Sequence, residues 1–148
     1  MAKSKHAIDS EGQIRELIEN WAESVRNKDV DGVMAHYAPD VTTFDIVPPL
    51  SMHGAENYKK GWDMWFDSIE GPIEYEIRNP QITASNDVAF CHSLNRVSSV
   101  SKKAGKEETW LRATVGFKKI GGEWLVTHEH VSVPFDMETG RAAVDLKP

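Results

Sequence analysis

The hydrophobic repeat changes once along this chain, and that change does most to limit its fold. As far as residue 69 the apolar residues recur at three- and four-residue spacing, and from Ile73 to Val133 they alternate. Ile14, Leu17, Ile18, Trp21 and Val25 form one stripe that predicts a helix over 10–27, with Ser10 and Gln13 set as in a capping box. Val30, Val33, Met34 and Tyr37 predict a short second helix stopped by Pro39, and β-branched residues predict a short strand over 41–46. Pro48 and Pro49 cannot donate to a ladder and mark a loop. Tyr58, Trp62, Trp65, Phe66 and Ile69 predict a third helix over 55–69, ended by Gly71-Pro72.

Beyond it Ile73, Tyr75 and Ile77 alternate with Glu74, Glu76 and Arg78, as in a strand with one wet face. Pro80 interrupts this strand before Gln81–Ala84, and Ser85-Asn86-Asp87 turns the chain. Strands follow over 88–100, 108–120 and 123–133, with Ala104-Gly105 and Gly121-Gly122 as hairpin turns and Pro134 as the stop. Helices first and an antiparallel meander afterwards indicate an α+β domain, not a parallel sheet wound with helices. A sheet this long must twist and curl. Helices packed across its concave face leave a conical cavity, a natural place for a small ligand.

The 148 residues suit a single domain spanning 1–148, with its core at about 10–134 and a polar tail over 135–148. A net charge of −6 with no block of Lys or Arg argues against nucleic acid and anionic membranes as partners. Cys91 is the single cysteine, so no intrachain disulfide can form, which suits a reducing compartment. No apolar run follows Lys3 and Lys5 as in a signal peptide, and no stretch approaches the ~20 apolar residues of a membrane span. A cytoplasmic protein is the resulting expectation.

Several side chains stand out for chemistry. Asp45 lies between Phe44 and Ile46, so alternation sets it on the face opposite theirs. In an apolar pocket its charged form would be desolvated and its pKa raised, as a base for a carbon-bound proton requires. The alternative is a capping or surface aspartate ahead of the proline loop. His92 sits mid-strand among Phe90, Cys91 and Leu94, either as a hydrogen-bonded core residue or as a proton shuttle. Arg112, between Leu111 and Ala113, needs a carboxylate partner, Asp45 or Glu129, or a ligand anion. Strict alternation gives His128 and His130 one face. They are candidates for contacting a ligand, His130 foremost, and with His92 they could also form a three-nitrogen metal site, the weaker reading. Tyr58, Trp62, Trp65 and Trp110 are aromatic bulk, some of it core and some of it cavity wall. Cys91 reads as a small buried hydrophobe.

Three segments carry a family resemblance: residues 27–41 (NKDVDGVMAHYAPDV), His53-Gly54, and the C-terminal run of 110–114 with 121–134 (GGEWLVTHEHVSVP). In these the chain resembles the nuclear-transport-factor-2-like superfamily, and within it the SnoaL-like and ketosteroid-isomerase-like proteins, over residues 10–134. The resemblance implies a cone-shaped, cystatin-like roll with three N-terminal helices on a curved antiparallel sheet, and a homodimer paired through the convex sheet face. Asp45 falls where ketosteroid isomerases carry their general base. Trp21 stands where they carry an oxyanion-hole tyrosine, and Ala113-Thr114-Val115 where they carry a second acidic donor. The implied function is an isomerase, cyclase or lyase without cofactor or metal, with Asp45 as base on a small hydrophobic carbonyl compound and His92, Arg112 or His130 stabilising the oxyanion. A ligand-binding or assembly module of the same fold, without chemistry, is the alternative.

Overall fold

The computed structural model describes residues 2–148. Helix α1 spans Lys5–Arg26, α2 spans Val30–Met34 and α3 spans Ala55–Ser68. Strand β1 is Tyr37–Phe44, β2 Met52–His53, β3 Ile69–Ala84, β4 Val88–Ser101, β5 Gly105–Ile120 and β6 Glu123–Ser132. These six strands form one sheet in the order β2-β1-β6-β5-β4-β3. The expected meander is β3 to β6, antiparallel throughout. β1 returns to the far edge of the meander and pairs with β6 in parallel.

The periodicity fixes the elements well and their ends less well. α1 begins five residues before the expected start, so Ser10 is buried within the helix rather than capping it. Tyr37, expected at the end of the second helix, is instead the first residue of β1, and Pro39 lies inside that strand. Proline is tolerated there because the pairing with β6 is interrupted between Tyr37 and Thr42. Pro80 likewise leaves β3 continuous, since the register with β4 shifts between Arg78 and Gln81 and Asn79 takes up a left-handed φ of 49°. The two-residue β2 and a small ribbon in the tail, β7 (Phe135–Asp136) with β8 (Arg141–Ala142), are too short to leave a periodic signal.

All three helices lie on one face of the curled sheet. One buried cluster joins Ile14 of α1 and Tyr58 of α3 to Val41, Ile82, Phe117, Trp124 and Val126 of the sheet. A second joins Val25, Val33 and Phe66 to Ile69, Ile73 and Tyr75. α1 is tied to β3 by Arg26 Nη1, which donates to the Tyr75 carbonyl at 2.8 Å, and Lys28 Nζ donates to the Ile69 carbonyl at 2.8 Å. These bonds fix the C-terminal end of α1 over β3. No helix among the described residues is long and apolar enough to cross a membrane.

Candidate functional site

The feature that builds the site is one extra residue in β6. Gly116 pairs with His128 and Phe117 with Val126, so Thr127 has no partner on β5. A bulge of this kind reverses the side-chain alternation beyond it. Trp124 and Val126 face the helices before the bulge, and Glu129 faces them after it, 5% exposed. His128 and His130, which strict alternation would have put beside Val126, are turned to the convex face instead. There they pack edge-on against Phe44, at 4.8 and 5.5 Å between ring centroids. His128 Nδ1 lies 2.7 Å from the Thr42 carbonyl oxygen.

The same convex face receives the other polar residues expected at the cavity. On β4, Ala89, Cys91 and Asn95 are buried against the helices, which turns His92 outward and leaves it exposed. On β5, Leu111, Ala113 and Phe117 face inward, so Arg112 is exposed, its Nε donating to Ser132 Oγ at 3.1 Å. His92, Thr114 and His130 are cross-strand neighbours on that outer surface. Among the described residues no three His, Cys, Asp or Glu side chains are grouped to hold a metal ion. Trp110 lies under the Arg78 guanidinium, 4.4 Å away, at the edge of an open hollow of about 390 Å³ against residues 145–147. That hollow has no buried titratable group.

On the concave face Glu129 meets two tyrosines from distant segments. Tyr37 Oη of β1 donates to Glu129 Oε2 at 2.7 Å, and Tyr58 Oη of α3 donates to the same oxygen at 3.1 Å. Parallel pairing of β1 with β6 sets Thr43 level with Glu129. Both hydroxyls converge on Oε2, and no described group hydrogen-bonds Oε1. Glu129 lines a cavity of about 40 Å³ of water-accessible volume, walled by Leu17, Ile18 and Trp21 of α1 and by Ile77, Cys91, Asn95 and Val115 of the sheet. That is space for about three waters, or for a compact ligand of similar bulk. The cone is narrow because Trp21 packs edge-on against Trp62 and Tyr75, at 5.7 and 5.2 Å, and Trp62 in turn against Trp65 at 5.6 Å.

Burial dominates the electrostatics. Desolvation drives the Glu129 carboxyl from the ordinary 4.5 up to about 7, against the two tyrosine bonds, which favour the anion; the negative charge of Asp45 adds to the rise. Tyr37 and Tyr58 are held well above the ordinary range by burial and by the carboxylate beside them, so both stay donors. Asp45 lies half-buried just past β1, its Oδ1 accepting from the Ile46 amide at 2.7 Å, and desolvation raises its pKa too. Cys91, in the cavity wall, has its thiol pushed up to about 11 by burial. The site is therefore acidic and proton-rich: one carboxyl poised at neutrality and clamped by phenols, with a second carboxyl close enough to feel it. Of the residues anticipated from the sequence, Asp45, Tyr58, Trp62 and Trp65 belong to this side of the sheet. Glu129 and Tyr37 are the additions. Neither carries a local sequence signal: Glu129 lies between His128 and His130, and Tyr37 follows His36.

A carboxyl with a folded-state pKa above its unfolded value binds its proton more tightly when folded. The resulting stability is fully present below about pH 4.5 and is lost as pH rises through about 7. Compared with Glu129→Gln, the wild-type protein should lose on the order of 3 kcal/mol of unfolding free energy between pH 4.5 and pH 8, measured by urea denaturation across that range.

Comparison with known proteins agrees with this architecture. A crystal structure of an NTF2-like protein of unknown function from Pseudomonas putida KT2440 superposes with a TM-score of 0.88 at 39% identity, covering 96% of this chain and 99% of that one. A ketosteroid isomerase-like protein from Erwinia carotovora atroseptica SCRI1043 superposes at 0.70 with 19% identity, over 82% of this chain and 93% of that one. A cystatin-like-fold protein of unknown function from Nostoc punctiforme superposes at 0.67 with 20% identity, over 82% and 88%. No curated protein matched. The SnoaL-like domain profile matches residues 14–136, which takes in both carboxyls, both tyrosines and every wall of the cavity, and the chain belongs to the SnoaL-like domain family.

Proposed function

We propose that this protein catalyses proton transfer on a compact, neutral carbonyl compound held in the concave cavity, with Glu129 as the proton-transferring group. The observation that carries this reading is the Glu129 carboxyl itself, with one oxygen clamped by Tyr37 and Tyr58 and the other free of protein partners. A group near pH 7 divides its time between acid and base forms, which makes it efficient in both directions of a proton transfer. As a carboxylate, Oε1 takes a proton from the carbon next to the carbonyl. The C–H electron pair becomes a C=C bond and the carbonyl π pair moves to oxygen. Return of the proton to a different carbon completes an isomerisation with no co-reactant, and loss of a leaving group from the same intermediate is an elimination.

Asp45 supplies a nearby negative charge that helps keep Glu129 protonated in the resting state. The apolar walls select the hydrophobic part of the ligand, and the cavity volume of about 40 Å³ favours a small one. Hydrogen–deuterium exchange at the α-carbons of acetone and other ketones of four or five heavy atoms in heavy water, followed by NMR, tests this. Glu129→Gln should slow exchange on the preferred ketone by at least about 100-fold, and Asp45→Asn by less. Exchange at the solvent rate with the wild-type protein would retire the catalytic reading and leave a ligand-binding module.

Two copies pair through the convex face. It is uncovered by any helix and carries exposed Phe44, Phe90 and Leu94, at 38%, 47% and 39%, beside the outward-facing histidines. Apolar side chains gathered on one sheet face call for cover, and a two-fold pairing of identical faces supplies it. Sedimentation velocity should give a dimer that Leu94→Glu converts to monomer; a wild-type monomer at micromolar concentration contradicts the pairing.

A further inference from the structure

The convex face of the sheet gathers most of the groups of this chain that change charge near neutrality. Four of the six histidines lie on it: His53, His92, His128 and His130. Two of them are tied to Thr42: His53 Nδ1 lies 3.2 Å from its Oγ1, and His128 Nδ1 faces its carbonyl oxygen. The ring nitrogens of His92 and His130 bond no described group, and both side chains are exposed.

Register sets these two in the middle of the apolar patch. Phe44, His130, Thr114 and His92 form one row across β1, β6, β5 and β4. Phe44 ends the row on one side, and Phe90 and Leu94 flank His92 on the other. A two-fold axis centred on the patch therefore passes near Thr114. With the axis along the strands, His92 faces the second copy's His130. With the axis across them, each imidazole faces its own copy. Imidazole meets imidazole in both arrangements.

The charges around the row do not relieve this. Arg112, two residues from Thr114 on β5, is a cation whose Nε is spent on Ser132. Lys118 lies further along β5, level with Val88, and Gln81, the β3 neighbour of His92, is uncharged. Glu129 and Asp45, next in sequence to His130 and Phe44, belong to the concave side. The carboxylates of Glu74, Glu76 and Glu108 gather on Arg96, with Arg78 also on Glu76. That cluster sits four residues along β4 from His92, about 13 Å away. In the tail ribbon Asp136 accepts from the Glu138 and Thr139 amides. Rotation about the patch centre keeps the Arg96 cluster as far from that centre in the second copy as in the first.

We propose that pairing through this face is switched by pH: copies join while His92 and His130 are neutral and separate as these imidazoles take up protons between about pH 7.5 and about pH 5.5. Burial between copies strips water from an imidazolium, and a facing imidazolium and Arg112 repel it, so the pair favours the neutral form. Separated copies therefore bind protons more tightly, and acid drives dissociation by linkage. Each imidazole that must discharge to pair contributes up to about ten-fold in dissociation constant per pH unit, and each copy brings two.

This inference rests on the convex face being the pairing surface, and its test separates the two ideas. Full-length protein is followed by sedimentation velocity over a concentration series at about pH 7.5 and about pH 5.5, at one ionic strength, with circular dichroism as the check on folding. The Glu129 proton stabilises the fold on the acid side, so acidification does not separate the copies by loosening them. The wild-type dimer should weaken at least about 100-fold between the two conditions. The double variant His92→Gln, His130→Gln should pair at both, with affinities within about three-fold of each other. Either single variant should show an intermediate response, and serves if the double variant does not pair. A wild-type dimer as tight or tighter in acid, or a double variant that keeps the full response, overturns the switch and leaves the convex pairing standing. A wild-type monomer under both conditions overturns the pairing and the switch together.

Discussion

A carboxyl group buried in an apolar cone is costly, and the site is organised around the terms that offset that cost. Alone, Glu129 would be driven fully neutral by desolvation. Two phenol donors on one of its oxygens return part of the lost solvation, and the balance leaves it near neutrality instead of far above it. The balance depends on the whole fold. Tyr37 arrives from the start of β1, Tyr58 from α3 and Glu129 from β6, so β1 must lie parallel to β6 and α3 must pack over both. Anything that loosens the helix layer withdraws a donor and changes the chemistry as well as the stability.

The broad architecture was legible in the sequence because periodicity is a local property. The stripe of Ile14, Leu17, Trp21 and Val25 specifies α1, and the alternation of Ile73, Tyr75 and Ile77 specifies β3, whatever the rest of the chain does. The site was less legible because facing is cumulative. Each residue's side is counted from the previous one, and a single unpaired residue reverses every assignment after it. Nothing in Val126-Thr127-His128 marks Thr127 as the bulge. Read by strict alternation, the histidines belong to the cavity and Glu129 is one of two carboxylates that could pair with Arg112. On β4 and β5, where no bulge separates His92 and Arg112 from their buried neighbours, the error was simpler. Alternation about a buried neighbour turns the next residue out, as Cys91 does for His92, and Leu111 with Ala113 does for Arg112.

The family resemblance had a similar reach. It fixed the roll and brought attention to Asp45, whose half-buried, desolvated carboxyl sits beside the site. It did not mark the tyrosines, which stand as single aromatic residues with no catalytic motif around them. Trp21, Trp62 and Trp65 are packing: Trp21 forms part of the cavity wall and packs edge-on against Trp62, which packs against Trp65, and the cavity beside them is small. Ligand size in this protein is thus limited by tryptophan bulk, and ligand polarity by the ring of hydroxyl, amide and carboxyl groups at the cavity wall.

The most direct test of the account is the titration of the Glu129 carboxyl by 13C NMR in wild type and in Tyr37→Phe. The account requires a wild-type midpoint near 7, and a higher midpoint once the Tyr37 bond that favours the anion is removed. A midpoint near the ordinary 4.5, or one that does not respond to loss of the Tyr37 hydroxyl, would contradict it.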